Sequence, residues 1–359
     1  DRAGQQVAVP YADDPQPNFA YFVYDALPVW HAAVNPSADD GQSQRMAFDF
    51  GAMRSLPVYH LIAQRSDVED AQFIPNAGRV EGYMGTDYLW WGTLVYDGRV
   101  YDHIGFRARG GLHRYAVGKN MWKFNFNRGH RLQAHDDWGR PYGELWDKLN
   151  FSAVIQHANR GHRGEQGLFE SLGFRLFNLV DIPASNTHFV HFRVIDSPDE
   201  HGQNQYLGDF WGLYLAIQEV DGQFLDTHGL PDGNLYRMEH GTGELNNQGP
   251  NAPADKSDLN AFLDGYLHGQ PDADWWRQHL DLPAYYSYRA IIEAIHHYDI
   301  NEGKNYLYYH HPETERWSVF PWDLDLTWAD TMPGDGNEPF RDPVLSLPEF
   351  QIEYQNRLR

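Results

Sequence analysis

The stretch Tyr298-Asp-Ile-Asn-Glu-Gly-Lys-Asn305-Tyr-Leu-Tyr, followed by Phe320-Pro-Trp-Asp323-Leu-Asp325, carries residue types that phosphoryl transfer requires. Asp299 stands at the end of a predicted helix, Asn305 follows six residues later, and a predicted strand pair leads into Asp323 and Asp325. In such chemistry one carboxylate orients the accepting hydroxyl. An amide oxygen and a further carboxylate hold Mg²⁺ against the phosphates. The same residues have ordinary uses: Asp299 can cap a turn, and Asp323 can pin a loop by accepting backbone hydrogens.

The basic half of such a site stands upstream. Phe106-Arg-Ala-Arg-Gly-Gly and Gly118-Lys-Asn-Met-Trp-Lys-Phe-Asn-Phe place Arg107, Arg109, Lys119 and Lys123 around a Gly-containing loop. Guanidinium and ammonium groups there suit triphosphate oxygens. A short basic hairpin is also an ordinary solvated edge. In a chain of 50 acidic and 28 basic residues, however, this concentration of positive charge between Arg107 and Arg131 stands out.

These groups need elements to hold them. Residues 1–50, rich in Pro, Asp, Gln and Ala, read as an extended lead-in with aromatic anchors at Phe19–Trp30. Leu56–Leu61 predicts a first strand, and Val80–Asp102, with its aromatics and glycines, predicts strands joined by tight turns. Ile104–Arg109 and Met121–Asn127 alternate as strands, with Trp122, Phe124 and Phe126 on one face and Met121, Lys123 and Asn125 on the other. Glu165–Val180 has helical spacing, with Leu168, Leu172, Leu176 and Val180 along one side. Phe189–Ile195 and Trp211–Val220 return to strand patterns. After Asp221 the chain reads as more helical, over Leu259–Leu267, Asp272–Leu280 and Pro283–His297. The strand pair Asn305–His310 and Trp317–Pro321 interrupts it, turning at Pro312–Glu315. Gly241–Ala254 reads as an exposed loop.

Composition bounds the partners. A formal charge of −22 repels nucleic acid and anionic membrane, and favours basic peptides or metal cations. The absence of cysteine excludes disulfides, thiol catalysis and thiolate metal sites. No stretch reaches the roughly 18 consecutive apolar residues of a membrane span.

Taken together, four blocks in order resemble the CotH family, known from bacterial spore coats and found in other bacteria and some eukaryotes. The resemblance covers roughly residues 50–359. Arg107–Lys123 is similar to the family's Arg-x-Arg-Gly…Lys block. Gly212-Leu-Tyr214…Glu219-Val-Asp221…Phe224-Leu225 resembles the next, although no residue separates Glu219 from Val220. Gly233-Asn-Leu-Tyr236 matches the third, and Asp299, Asn305, Tyr306 and Pro321–Asp325 the fourth. Their spacing also resembles the catalytic-loop Asp and Asn, then the metal-holding Asp, of protein kinases.

The resemblance implies an α+β, two-lobed atypical protein-kinase-like fold. Its N-lobe (51–220) would be mostly antiparallel sheet with one packed helix, and its C-lobe (221–359) more helical. Family members generally continue with further helices, so that lobe reads as cut short near Arg359. The resemblance implies an enzyme that uses ATP with Mg²⁺ or Mn²⁺ to phosphorylate Ser or Thr on a secreted or surface protein. It also implies residence outside the cytoplasm, with any signal peptide removed. Asp299 would be the catalytic Asp; Asp323 would hold the metal, with Asn305 helping and Asp325 as a second or outer ligand. Lys119 or Lys123 would reach the phosphates beside Arg107 and Arg109, and Glu170, or Glu165 in its place, would pair with that Lys. Glu219 would touch the nucleotide or brace the lobe junction.

One departure bears on activity. The loop after Arg109 reads Gly-Gly-Leu-His-Arg where many members have Gly-Asn-Ser-Ser. This keeps open an alternative, a kinase-like surface or coat module retained for assembly. Three other features have plain readings. His296-His297 and His310-His311 point apart on a helix or strand, which argues against a shared ion. Asp335-Gly-Asn337-Glu338 reads as a lone turn rather than a calcium loop. The aromatics at Tyr88–Trp91 and Trp275–Trp276 read as core rather than a sugar-binding face.

Overall fold

The computed structural model describes residues 56–72, 85–110, 119–154, 166–197, 209–239, 241–300, 303–328 and 339–359, with four short strands nearer the start. The loop 111–118, Glu165 and the turn 335–338, all singled out above, lie outside the described residues. The fold is mixed α+β, with eight helices among the described residues. None of these is long and apolar enough to cross a membrane. Chain contacts divide it into two units, Asp1–Gly167 with Thr187–Gln218, and Leu168–Asn186 with Glu219–Arg359.

In the first unit, β1 (Gln6–Ala8) pairs with β2 (Ala20–Phe22), and β3 (Val29–Ala32) with β4 (Gln44–Ala47). Seven further strands close into a barrel: β5 (Val58–Ile62), β6 (Trp90–Tyr96), β7 (Arg99–Arg109), β8 (Met121–Asn125), β9 (Lys148–Ser152), β10 (Thr187–Ile195) and β11 (Phe210–Gln218). Helix α1 (Arg65–Ala71) follows β5. Neighbouring strands are antiparallel except β5 and β10, which pair in parallel. The expectation of a mostly antiparallel sheet holds for six of the seven pairings, but the sheet closes into a barrel. Asp97 (φ 50°) and Gly98 (φ 70°) make the two-residue turn between β6 and β7, the positive-φ pair that matches strand twist in a tight hairpin. Phe106, Trp122, Phe124 and Phe151 fill the interior, and Tyr59 stacks on Tyr96 at 4.0 Å.

The Tyr88–Trp91 expectation is corrected in part. Trp90 is core, but Tyr88 and Trp91 are exposed, because alternation along a strand sends neighbours to opposite faces.

Helix α2 (Gln166–Leu179), expected beside the first-half sheet, groups with the second unit. Its buried side is also not the leucine side. Leu168, Leu172 and Leu179 are exposed, whereas Glu170, Gly173, Phe174 and Phe177 are buried at the same helical spacing. Two phenylalanines outweigh a leucine stripe because they bury more apolar surface each.

The second unit is built on a four-stranded sheet in the order β13 (Thr242–Asn247), β12 (Asn234–Glu239), β14 (Tyr306–His310), β15 (Trp317–Pro321). The loop expected at Gly241–Ala254 is therefore half strand, β13 pairing antiparallel with β12. Its Gly and Asn content suggested a loop, yet Gly243 is needed where a Cβ would meet Leu259 at 2.2 Å. Both sheet faces are covered, so β14 reads as a continuous apolar run rather than an alternation. Leu307 and Tyr309 pack with Phe224, Leu235 and Phe320, while Tyr308 meets Phe262 and Phe340. Helices α3 (Gly222–Thr227), α4 (Ser257–Leu267), α5 (Ala273–His279), α6 (Leu282–Ala294), α7 (Arg341–Leu345) and α8 (Pro348–Arg357) complete the unit. Asp221, Asp272 and Asp281 cap α3, α5 and α6 by accepting backbone N–H groups, which fixes where each helix begins.

Candidate active site

Helix α6 ends at Ala294, and a turn carries the chain to Asp299. The Asp299 Oδ1 lies 2.9 Å from Lys304 Nζ, and Oδ2 accepts from Asn305 Nδ2 at 2.8 Å. That Nδ2 also donates to the Asp299 main-chain oxygen at 2.9 Å. Both bonds use the NH₂ group, so the amide is oriented and its carbonyl oxygen is the atom it can offer a cation.

The β14–β15 pairing extends this cluster. Tyr306 opposes Pro321, so Asn305, just before β14, and Asp323, just past β15, reach the same end of the hairpin. Asn305 (φ 69°) and Asp323 (φ 56°) both adopt the left-handed backbone region. Asn and Asp tolerate that region better than most residues, and surrounding structure must hold them there. Asp323 is half-buried and Asp325 buried.

The Asp323–Asp325 segment is braced on several sides. Leu324 is fully buried, and its carbonyl accepts from Thr327 Oγ1 at 3.1 Å. Trp328 N–H donates to the Ile295 carbonyl at 2.7 Å, tying the segment to the end of α6. His297 is also fully buried, and burial pulls its pKa down to about 4, against the opposing influence of Asp299 and the carbonyls of Trp322 and Leu326. It is a neutral packing residue at physiological pH. From α2, Gly173 faces Leu324: a Cβ built there would stand 2.9 Å from Leu324 Cδ1. Gly173→Val should therefore cost about 1–3 kcal/mol of stability by overpacking. Exposed Leu172→Val, a helix-face control, should stay within about 0.5 kcal/mol. Urea denaturation of both variants checks this, and equal losses would remove the packing argument.

In the first unit, Arg107 pairs across the ladder with Lys123, and Arg109 with Met121. The two lysines that the sequence leaves open sit in different environments. Lys123 is half-buried on β8. Lys119 is buried, donating from Nζ to the Ala153 carbonyl at 3.0 Å and to that of Leu213, with Tyr214 4.2 Å below. Burial lowers its pKa to about 7. Glu170 is buried on α2, and Glu219 is buried just past β11.

The family model described as CotH kinase protein matches residues 107–356, most of the chain. The chain belongs to the CotH kinase family. A comparison with curated proteins finds no match. The CotH match opens at Arg107 on β7 and takes in every residue singled out for chemistry, from Arg107 to Asp325. Membership supports a kinase-like function in general.

Within the second unit the CotH fold brings Asp299 and Asn305 into contact and Asp323 to the same end of the sheet. Sequence reasoning missed Lys304, although it is the basic residue nearest the Asp299–Asn305 pair and stands between them in the motif.

Proposed function

We propose that this CotH protein transfers the γ-phosphoryl group of ATP to Ser or Thr hydroxyls of extracytoplasmic or surface proteins. The observation that carries this reading is the Asp299–Asn305 contact at the same hairpin end as Asp323. The two-lobed kinase-like architecture belongs to the same proposal.

The donor set fits Mg²⁺ or Mn²⁺. Asp323, Asp325 and the Asn305 amide offer hard oxygen atoms, and Mg²⁺ commonly takes only one or two carboxylates plus substrate phosphates. Among the described residues no three His, Cys, Asp or Glu gather as a metal-holding group. Such an ion would neutralise charge on the transferring group.

Asp299 accepts the hydrogen of the attacking hydroxyl as its oxygen bonds to the γ-phosphorus. The bond from that phosphorus to the bridging oxygen breaks, and ADP leaves. Lys304 holds the Asp299 carboxylate in place. Of the two lysines, Lys119 is assigned to the phosphates, with Arg107, Arg109 and Lys123 adding positive charge and Glu219 bracing the end of β11. A net charge of −22 favours basic acceptor segments.

Thermal unfolding with ATP and Mg²⁺ or Mn²⁺ tests the proposal. At about 100 times its dissociation constant, nucleotide should add about 2.7 kcal/mol, and Asp323→Ala should abolish that gain. No metal-dependent shift in the native chain would favour the non-catalytic surface module instead.

A further inference from the structure

A second site lies in the second unit, at the other end of the same central strand. From Asn305 along β14 to His310 the chain spans about 17 Å, and a cavity of about 240 Å³ opens at that far end, lined by Asp232, Asn234, Pro253, His310, Pro312 and Glu315 among others. This is below the roughly 300–1,000 Å³ of pockets that enclose a whole small-molecule ligand. It is the scale of a single side chain.

The cavity is built on a buried polar network. Asn234, 1% exposed, donates from Nδ2 to Asp258 Oδ2 at 3.0 Å and to the Pro253 carbonyl at 3.0 Å, and accepts from Gly249 N–H at 3.0 Å. Tyr236 donates to Asp258 Oδ1 at 2.5 Å. Burial raises the Asp258 pKa, but bonds from His310, Tyr236, Leu259 N–H and Asn234 outweigh it and hold the carboxyl below its ordinary value. This carboxylate lies 3.0 Å from His310 Nδ1, while Trp317 stacks flat on the ring at 4.3 Å. The His310 ring is thus fixed in plane and orientation, with Nε2 the ring nitrogen turned away from Asp258.

The walls are largely apolar, and besides the histidines His310 and His311 the ionisable groups are acidic. Pro250, Pro253, Pro312 and Ala252 supply carbon surface, and the exposed carboxylates of Asp232 and Glu315 stand at the pocket. Asn247 Nδ2 holds Asp232 Oδ1 at 2.6 Å. Lys256 and Arg316, the neighbouring bases in sequence, are not among the lining residues. Two glycines keep it open: a Cβ on Gly233 would come within 2.3 Å of the His310 carbonyl oxygen, and one on Gly249 within 2.8 Å of that of Asp232.

The geometry points to this pocket as a receptor for the cationic side chain of a lysine or arginine on a partner polypeptide. The methylene stem would lie along the prolines, and the charged head would meet the carboxylates of Asp232 and Glu315 beside the His310 ring. No nucleotide, metal or transfer chemistry is needed, so the site stands or falls independently of the proposed kinase activity.

The test is an NMR titration of the full chain, without nucleotide and at 0.15 M salt, with acetyl-Gly-X-Gly-amide peptides in which X is Arg, Lys or Gln. The Arg and Lys peptides should bind saturably and shift the His310 ring resonances, and the Gln peptide should not. The double variant Asp232→Asn/Glu315→Gln should weaken binding at least tenfold. Asp264→Asn/Asp274→Asn, removing equal charge outside the pocket, should leave it unchanged. Equal weakening by both pairs would reduce the effect to diffuse attraction, and absence of saturation or equal binding of the Gln peptide would overturn the proposal.

Discussion

Asp299→Asn should lower autophosphorylation or ATP turnover by about 10²–10⁴-fold, the range lost when a positioned general base is removed, while leaving the metal-dependent nucleotide stabilisation in place. The substitution keeps the size of the side chain, and the new amide oxygen can still accept from Asn305 Nδ2, as Oδ2 does at 2.8 Å. What disappears is the capacity to take the hydroxyl proton, together with the partner of Lys304. That ion pair is partly open to solvent on both sides, so its loss should cost at most about 1 kcal/mol. Rate and stability are therefore expected to separate, which turnover assays beside a denaturant titration would show. Unchanged turnover would return Asp299 to the role of a turn-capping residue.

Lys119→Met should make the protein more stable at pH 6, by roughly 1–3 kcal/mol. The lysine is held by two carbonyls inside the barrel unit, and burial brings its pKa to about 7 from the ordinary 10.5. The sign follows from proton counting. Below pH 7 both folded and unfolded chains carry the proton, and the folded state bears the full cost of a buried charge. Between pH 7 and 10.5 the unfolded chain binds more protons, so stability rises with pH. The native chain should show that rise in chemical denaturation between pH 7 and 9, and the Met variant should not. The loss of two carbonyl partners offsets part of the gain. If phosphates meet this lysine they restore its charge, so nucleotide binding at pH 8 should take up a proton. Calorimetry in buffers of different ionisation enthalpy measures that uptake. A variant that is destabilised at pH 6 with an unchanged pH slope would mark Lys119 as a purely structural cation.

The site residues that sequence reasoning reached share one property: their chemistry is carried by type and spacing along a short segment. Asp299 and Asn305 are six apart, and Asp323 follows a strand pair that two short apolar runs and the turn Pro312–Glu315 made legible. The strands themselves were legible for the same reason, since β7 and β8 display their interior residues at a period of two. What stayed hidden depends on contacts far apart in sequence. The apolar side of α2 could not be chosen from spacing, because Leu168 and Leu172 fit the helical period as well as Phe174 and Phe177 do. The β13 strand was masked by its glycines and asparagines, whose permissive backbones read as a loop until Leu259 is seen filling the space over Gly243. The role of His310 rests on Asp258, 52 residues away, and no local motif announces that pairing.

The parallel pairing of β5 with β10 has a consequence for how the chain is made. Residues 58–62 align with 191–195, so the barrel cannot close until the long intervening segment has been synthesised and folded back. Closing so large a loop forfeits entropy before any contact offsets it, and topologies dominated by such pairings assemble slowly. Until then β5 has an unsatisfied edge that only the later strand can cover. In a chain delivered N-terminus first, the barrel is thus sealed near its last strands, and its early strands must wait in a hairpin meander without finding a wrong partner.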